Sequence, residues 1–130
     1  MGREDYLIDT NVIIDYFGQL LPEKVTLLLD QIIDNRFYIS VINKIELLGF
    51  SGLQETEENI FQEFVRAAEI LNLNEDVIDM TISLRRNYRI KLPDAIIAAT
   101  ALVYDLVLLT RNIKDFSKIG DLKIPDLYTL

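Results

Sequence analysis

Four acidic residues stand at the edges of apolar segments. They are Asp9 in Tyr6-Leu7-Ile8-Asp9-Thr10-Asn11, Glu46 in Ile45-Glu46-Leu47-Leu48-Gly49, Asp94 in Leu92-Pro93-Asp94-Ala95, and Asp115 in Lys114-Asp115-Phe116. Ionised carboxylates seldom sit beside core segments unless something neutralises them. Two of them about 5 Å apart repel by roughly 3 kcal/mol at an effective dielectric near 20. Four that met in space would have to hold protons or bind cations. The chemistry such a set suits is metal-dependent attack on phosphate esters, with the cation lowering the pKa of a water and offsetting phosphate charge. Asn11, Thr110 and Asn112 flank the acids and are placed to orient a ligand or a water.

Each acid also has an ordinary structural role. Asp9 precedes a helix, where Asp caps well, but Thr10 and Asn11 can cap too. Pro93 suits a first helical position, which predicts Leu92, a poor capping residue, as the N-cap. Asp94 then falls in the first turn, where the helix dipole favours an anion. Glu46 shares a helix face with Ile42 and Asn43, and Lys44 beside it marks a wet face. Asp115 follows Thr110 and Asn112, residues that serve turns routinely.

Composition narrows the chemistry. The 130 residues suit one domain, read here as residues 1–130, and half of them are hydrophobic. Cysteine and histidine are both absent. That excludes disulfides, thiolate and imidazole zinc sites, thiol nucleophiles, Ser-His-Asp catalysis and imidazole acid–base cleavage of RNA. An oxygen-only site remains, which favours magnesium or manganese. The net charge of −8 argues against a simple electrostatic nucleic-acid binder. However, Arg85, Arg86, Arg89, Lys91, Arg111, Lys114 and Lys118 cluster around Asp94 and Asp115 in sequence. They read either as solvated helix faces or as a phosphate-contacting rim. The start Met1-Gly2-Arg3-Glu4-Asp5 is no signal peptide, and no apolar run approaches membrane-spanning length, so a cytoplasmic protein with no membrane partner is expected.

The elements that must position the acids alternate between strand and helix, the pattern of an α/β domain with a largely parallel sheet. Strands are predicted at 5–8, 37–40 and 106–109, with a further short one near 70–73 and an edge strand at 122–124. Helices are predicted at 11–17, from Pro22 through Ile33, at 42–48, 54–68, 75–88 and 93–104, with a brief turn at 112–117. Ile60, Phe61, Phe64, Val65 and Ala68 form one stripe, while Glu55, Glu57, Glu58 and Glu63 lie at its start and outer face as dipole partners and solvated charges.

Taken in order, these segments resemble the PIN-domain family, most closely its VapC-type toxin ribonucleases. Asp9-Thr10-Asn11 after an apolar strand is similar to the family's first motif. Ser40 followed by Ile45-Glu46-Leu47-Leu48-Gly49 is similar to the second. Leu92-Pro93-Asp94-Ala95-Ile96-Ile97-Ala98-Ala99-Thr100-Ala101, the most distinctive string, is similar to the third, and Leu109-Thr110-Arg111-Asn112 with Lys114-Asp115-Phe116 to the fourth. The resemblance implies a PIN-like, mostly parallel sheet flanked by helices. It implies Asp9, Glu46, Asp94 and Asp115 around one or two Mg2+ or Mn2+ ions, and RNA as substrate, transfer or ribosomal RNA among the options. It also implies a homodimer and a protein antitoxin.

Water as nucleophile predicts 5′-phosphate and 3′-hydroxyl products. The competing reading of a different class is a non-catalytic PIN-fold module that binds a protein or RNA. Two phosphate-handling rivals fit the residues poorly. A haloacid-dehalogenase-type phosphatase wants a second Asp where Asn11 stands, and a response-regulator receiver wants an early pair of adjacent acids plus a downstream acceptor and lysine.

Overall fold

The computed structural model describes residues 4–129. In chain order the elements are β1 (Tyr6–Ile8), α1 (Thr10–Phe17), α2 (Glu23–Asp34), β2 (Tyr38–Ser40), α3 (Val41–Leu48), α4 (Glu55–Ala67), β3 (Glu69–Leu71), α5 (Glu75–Asn87), α6 (Leu92–Val103), β4 (Val107–Leu109) and α7 (Ile113–Phe116), closed by a 3-10 turn at Leu127–Thr129. The four strands form one sheet in the order β3-β2-β1-β4. Every pairing is parallel, so each return crosses over through helices.

A parallel sheet needs both faces covered, and the short strands are apolar on both. Leu7 pairs with Tyr38 on one side and Leu108 on the other. These three residues pack into one core with α5 and α6, against Val77, Leu84, Ala95, Ala98 and Ala99. Ile8, Ile39 and Leu109 point the opposite way, onto Val12, Val25, Leu29, Leu47, Phe61 and Phe64 of the first four helices. This is the period-2 alternation of a strand dividing two helix layers. Fully burying one such aliphatic side chain contributes about 2 kcal/mol.

Helix α6 is buried continuously from Ala95 to Ala101. Its small residues permit the close approach to α5 that makes this the most extensive helix pairing in the molecule. The buried Thr100 hydroxyl is satisfied by the Ile96 carbonyl at 2.7 Å. At the end of α3, a Cβ on Gly49 would meet the Ile45 carbonyl oxygen at 2.6 Å, so the stop there requires glycine.

Three expectations need correction. The edge strand at 122–124 is absent. That segment gives one backbone bond, Leu108 N–H to the Lys123 carbonyl at 2.9 Å, and Pro125 prevents further pairing on this edge. The cap of α6 is Lys91, not Leu92, with Pro93 one position further in. Pro22 likewise caps α2 from outside. Among the described residues, no helix is long and apolar enough to cross a membrane.

Candidate functional site

The chain leaves β1 toward β2 and β3 on one side, then returns to β4 on the other. In an open parallel sheet, the crevice beyond the carboxyl ends at such a reversal is the ligand position. Ile8 and Leu109 are register partners, so the residues that follow them, Asp9 and Thr110, emerge side by side. The Asp9 N–H extends the ladder by donating to the Leu109 carbonyl at 2.9 Å.

Asp9 is 5% exposed. Its Oδ1 accepts from Thr10 N–H at 2.9 Å and from Asn43 Nδ2 at 3.2 Å. Its Oδ2 accepts from Thr110 Oγ1 at 2.7 Å and from Asn11 Nδ2 at 3.4 Å. Asp9 therefore does cap α1, although Thr10 and Asn11 were available for that task, because both are engaged elsewhere. Burial pushes the Asp9 carboxyl above the usual aspartate range. The bonds from Thr110 and Thr10 oppose this, and the charges of Glu46 and Asp94 add to it.

The remaining acids approach from three other elements. Glu46, exposed on α3, accepts a 2.7 Å bond from Thr10 Oγ1. Asp94, half-buried in the first turn of α6, stands outside this network. Its pKa is raised by burial, then by the charges of Asp115 and Glu46, and Lys91 and Lys118 pull it back without cancelling the rise. Asp115, half-buried on α7, accepts from Asn112 Nδ2 at 3.0 Å.

Asp9, Glu46 and Asp94 line one open cavity of about 250 Å³, together with Thr10, Asn11, Ile14, Arg111 and Asn112. Asp115 lies off that lining and is joined to it through Asn112 and through its field on Asp94. A larger cavity of about 500 Å³ between α5, α6 and the 119–123 segment contains none of the four acids.

The three flanking polar residues all contact the acids or one another. The fully buried Thr110 hydroxyl donates to Asp9 and accepts from Asn112 N–H at 3.1 Å. Asn11 Oδ1 accepts from Arg111 N–H at 2.9 Å. Of the basic stretch, Arg111 lines the cavity, and Lys91 and Lys118 act on Asp94. Lys118 also holds the turn between α5 and α6, together with Arg85, by bonds to the carbonyls of Arg89 and Ile90 respectively.

Sequence reasoning missed Asn43, which is fully buried and is the keystone between loops. Its Nδ2 reaches Asp9 and, at 3.0 Å, Thr10 Oγ1, while its Oδ1 accepts from Ser40 N–H at 2.8 Å. The pattern Ser40-x-x-Asn43 is a capping box that could have revealed it. Asp15 was also missed, a 4% exposed carboxylate held by Arg111 and by Tyr128. A lone acid between Ile14 and Tyr16 was its signal.

Among the described residues, no three acidic side chains already form an ion-holding cluster. In kind, the donors fit a hard divalent cation, since every ligating group on offer is oxygen. In charge they fit as well: beyond the larger effect of burial, Glu46 and Asp94 act on Asp9, and Asp115 and Glu46 on Asp94, as like charges that a cation would offset.

A four-stranded parallel sheet, with an acid-lined crevice at its point of reversal, defines the class of domain. The sequence matches the PIN domain over residues 6–122, and the chain belongs to that family. Ribonuclease VapC19 of Mycobacterium tuberculosis is 31% identical over 124 residues, covering 92% of this chain and 98% of the relative. A toxin-antitoxin complex from Klebsiella pneumoniae contains a chain 32% identical, with a TM-score of 0.73, covering 91% of this chain and 95% of that one. VapBC-1 from nontypeable Haemophilus influenzae superposes with a TM-score of 0.77 at 29% identity, covering 96% and 98%.

Proposed function

We propose that the protein is an endoribonuclease that hydrolyses RNA phosphodiesters, and that it is the toxin of a toxin–antitoxin pair. The observation that carries this reading is the meeting of Asp9, Glu46 and Asp94 in one crevice from three elements far apart in sequence. The likeness to a named ribonuclease and to a solved toxin-antitoxin complex supports it.

Asp9, Glu46, Asp94 and Asp115 would hold one or two Mg2+ or Mn2+ ions. A bound ion would supply an acidified water and charge relief at the scissile phosphate. The chain's own groups do the rest. Asp9 is fixed by four donors, so it presents its carboxylate in one orientation. The Thr110 hydrogen bond favours the charged form of that carboxylate and so opposes the effect of burial. Asn112 aims Asp115. Glu46 is exposed and Asp94 half-buried, so these are the acids of the crevice most accessible to an ion from solvent.

The partner is a protein antitoxin, and a net charge of −8 suits one with a basic binding segment. A homodimer completes the proposal. The test is end-mapping of transfer and ribosomal RNA incubated with the purified protein and Mn2+, beside Asp94→Asn. Fragments with 5′-phosphate and 3′-hydroxyl ends, absent with the variant, are expected. A 2′,3′-cyclic phosphate, or equal cleavage by the variant, would refute the mechanism. RNA bound but left intact would favour the non-catalytic module.

A further inference from the structure

Arg111 follows Thr110 at the carboxyl end of β4, and it is the one cation among the described residues lining the acidic crevice. Its position is fixed at two points. Its backbone N–H donates to Asn11 Oδ1, and its Nη1 lies 3.1 and 3.0 Å from the two oxygens of Asp15. Asp15 is in turn held by Tyr128, whose phenol donates to Oδ2 at 2.7 Å. Burial, and then the bond to Asp15, hold the Tyr128 proton on. A segment from the far end of the chain thus braces a buried carboxylate, and that carboxylate braces a guanidinium.

The two partners differ sharply in exposure. The Asp15 side chain is 5% accessible, while that of Arg111 is 58% accessible. Asp15 engages one guanidinium nitrogen, which leaves the donors of Nε and Nη2 unclaimed by it. An anionic crevice repels the phosphates of any nucleic acid, and a guanidinium on its rim is suited to offset that repulsion by donating to phosphate oxygens.

Resting on the ribonuclease reading, we infer that Arg111 binds a backbone phosphate of the RNA beside the scissile bond, with Asp15 and Tyr128 as positioning residues. The ion pair is the mount, and the outward donors are the binding surface. A purely structural Arg111 would matter to folding and not to RNA.

The test measures binding of fluorescein-labelled bulk transfer RNA in EDTA across a salt series, with melting curves and steady-state cleavage alongside. Arg111→Ala should weaken binding about tenfold and lower the slope of log affinity against log salt by about 0.7 to 0.9, the loss of one phosphate contact. Arg111→Lys should keep the slope but raise KM, because a point charge replaces the braced fork. Tyr128→Phe should raise KM with kcat little changed.

A lowered melting temperature with wild-type affinity and slope in Arg111→Ala would overturn the inference and leave the nuclease reading standing. If Arg111→Ala does not fold, an unchanged KM in both Arg111→Lys and Tyr128→Phe has the same meaning. Wild-type protein that neither binds nor cuts RNA overturns both readings together.

Discussion

Neutralising two acids of the same crevice should move stability in opposite directions. Asp94 has its pKa raised by burial and by the charges of Asp115 and Glu46. Its ionised form therefore works against the metal-free fold. Asp94→Asn removes the charge and keeps the shape, so it should raise the melting temperature in EDTA by a few degrees, since about 1 kcal/mol moves the midpoint of a domain this size by about 4 °C.

Asp9 also has a raised pKa, but all four of its hydrogen bonds arrive from donors. An asparagine there must turn its own NH2 toward either Thr10 N–H and Asn43 or Thr110 and Asn11. Leaving buried donors unpaired costs about 1–3 kcal/mol, and this is set against the relief of burial. Asp9→Asn should thus melt lower than wild type.

The pH dependence supplies a second reading of the same prediction. The folded-state pKa of Asp94 lies above its unfolded value, so its contribution to stability is intact below the ordinary aspartate value of 3.8 and is lost as pH rises through the raised value. Wild type and Asp94→Asn should melt together in acid and separate toward neutrality. Thermal unfolding by circular dichroism in EDTA, across that range, measures both effects, and RNA cleavage in Mn2+ should be lost in both variants. A lower melting temperature for Asp94→Asn at neutral pH, or a gap that does not change with pH, would refute the electrostatic reasoning. A stabilised Asp9→Asn would refute the hydrogen-bond reasoning.

Other consequences follow from the same contacts. Asn43→Ala leaves Asp9, Thr10 Oγ1 and Ser40 N–H each short of a partner and should cost about 2–3 kcal/mol in urea denaturation. Thr110→Val keeps the side-chain volume but removes a bond that lowers the Asp9 pKa. It should destabilise by about 1–2 kcal/mol and shift the acid limb of the cleavage profile to higher pH. Mn2+ at about a hundred times its dissociation constant should stabilise the fold by about 2.7 kcal/mol, and Asp94→Asn should erase most of that shift in a thermal melt.

The legible parts of this sequence were those set by local periodicity or by a strong punctuating residue. The apolar run Ala95 to Ala101 announced a buried helix, and Leu7, Ile8, Val107, Leu108 and Leu109 announced strands buried on both faces. The convergence of Asp9, Glu46 and Asp94 was legible because charge beside a core segment demands explanation. What could not be read were contacts across a hundred residues: Thr110 onto Asp9, Arg111 onto Asp15 and Tyr128 onto Asp15. Nothing local in α1 says which distant donor will neutralise Asp15. The absent edge strand has a different cause. Residues Leu122 to Ile124 have strand composition, but Pro125 and the single bond to Leu108 leave no ladder to propagate.

The division between Asp9 and its companions bears on how the crevice could take up an ion. Asp9 ties together the ends of β1 and β4 and, through Asn43, the start of α3. It cannot move without dismantling the loops. Glu46 is anchored by one bond from Thr10, and Asp94 stands outside the bonded network altogether. Glu46 and Asp115 raise the Asp94 pKa by like charge, and these looser acids would be free to turn toward a cation beside Asp9. Closing costs side-chain freedom of about 1 kcal/mol per immobilised acid, small beside the repulsion a divalent ion removes. The rigid residue would then set where chemistry happens, and the looser ones would set how tightly an ion is held. Affinity for Mn2+ should accordingly fall more steeply on substituting Asp94 than on loosening the frame at Asn43, whereas cleavage rate should suffer from either.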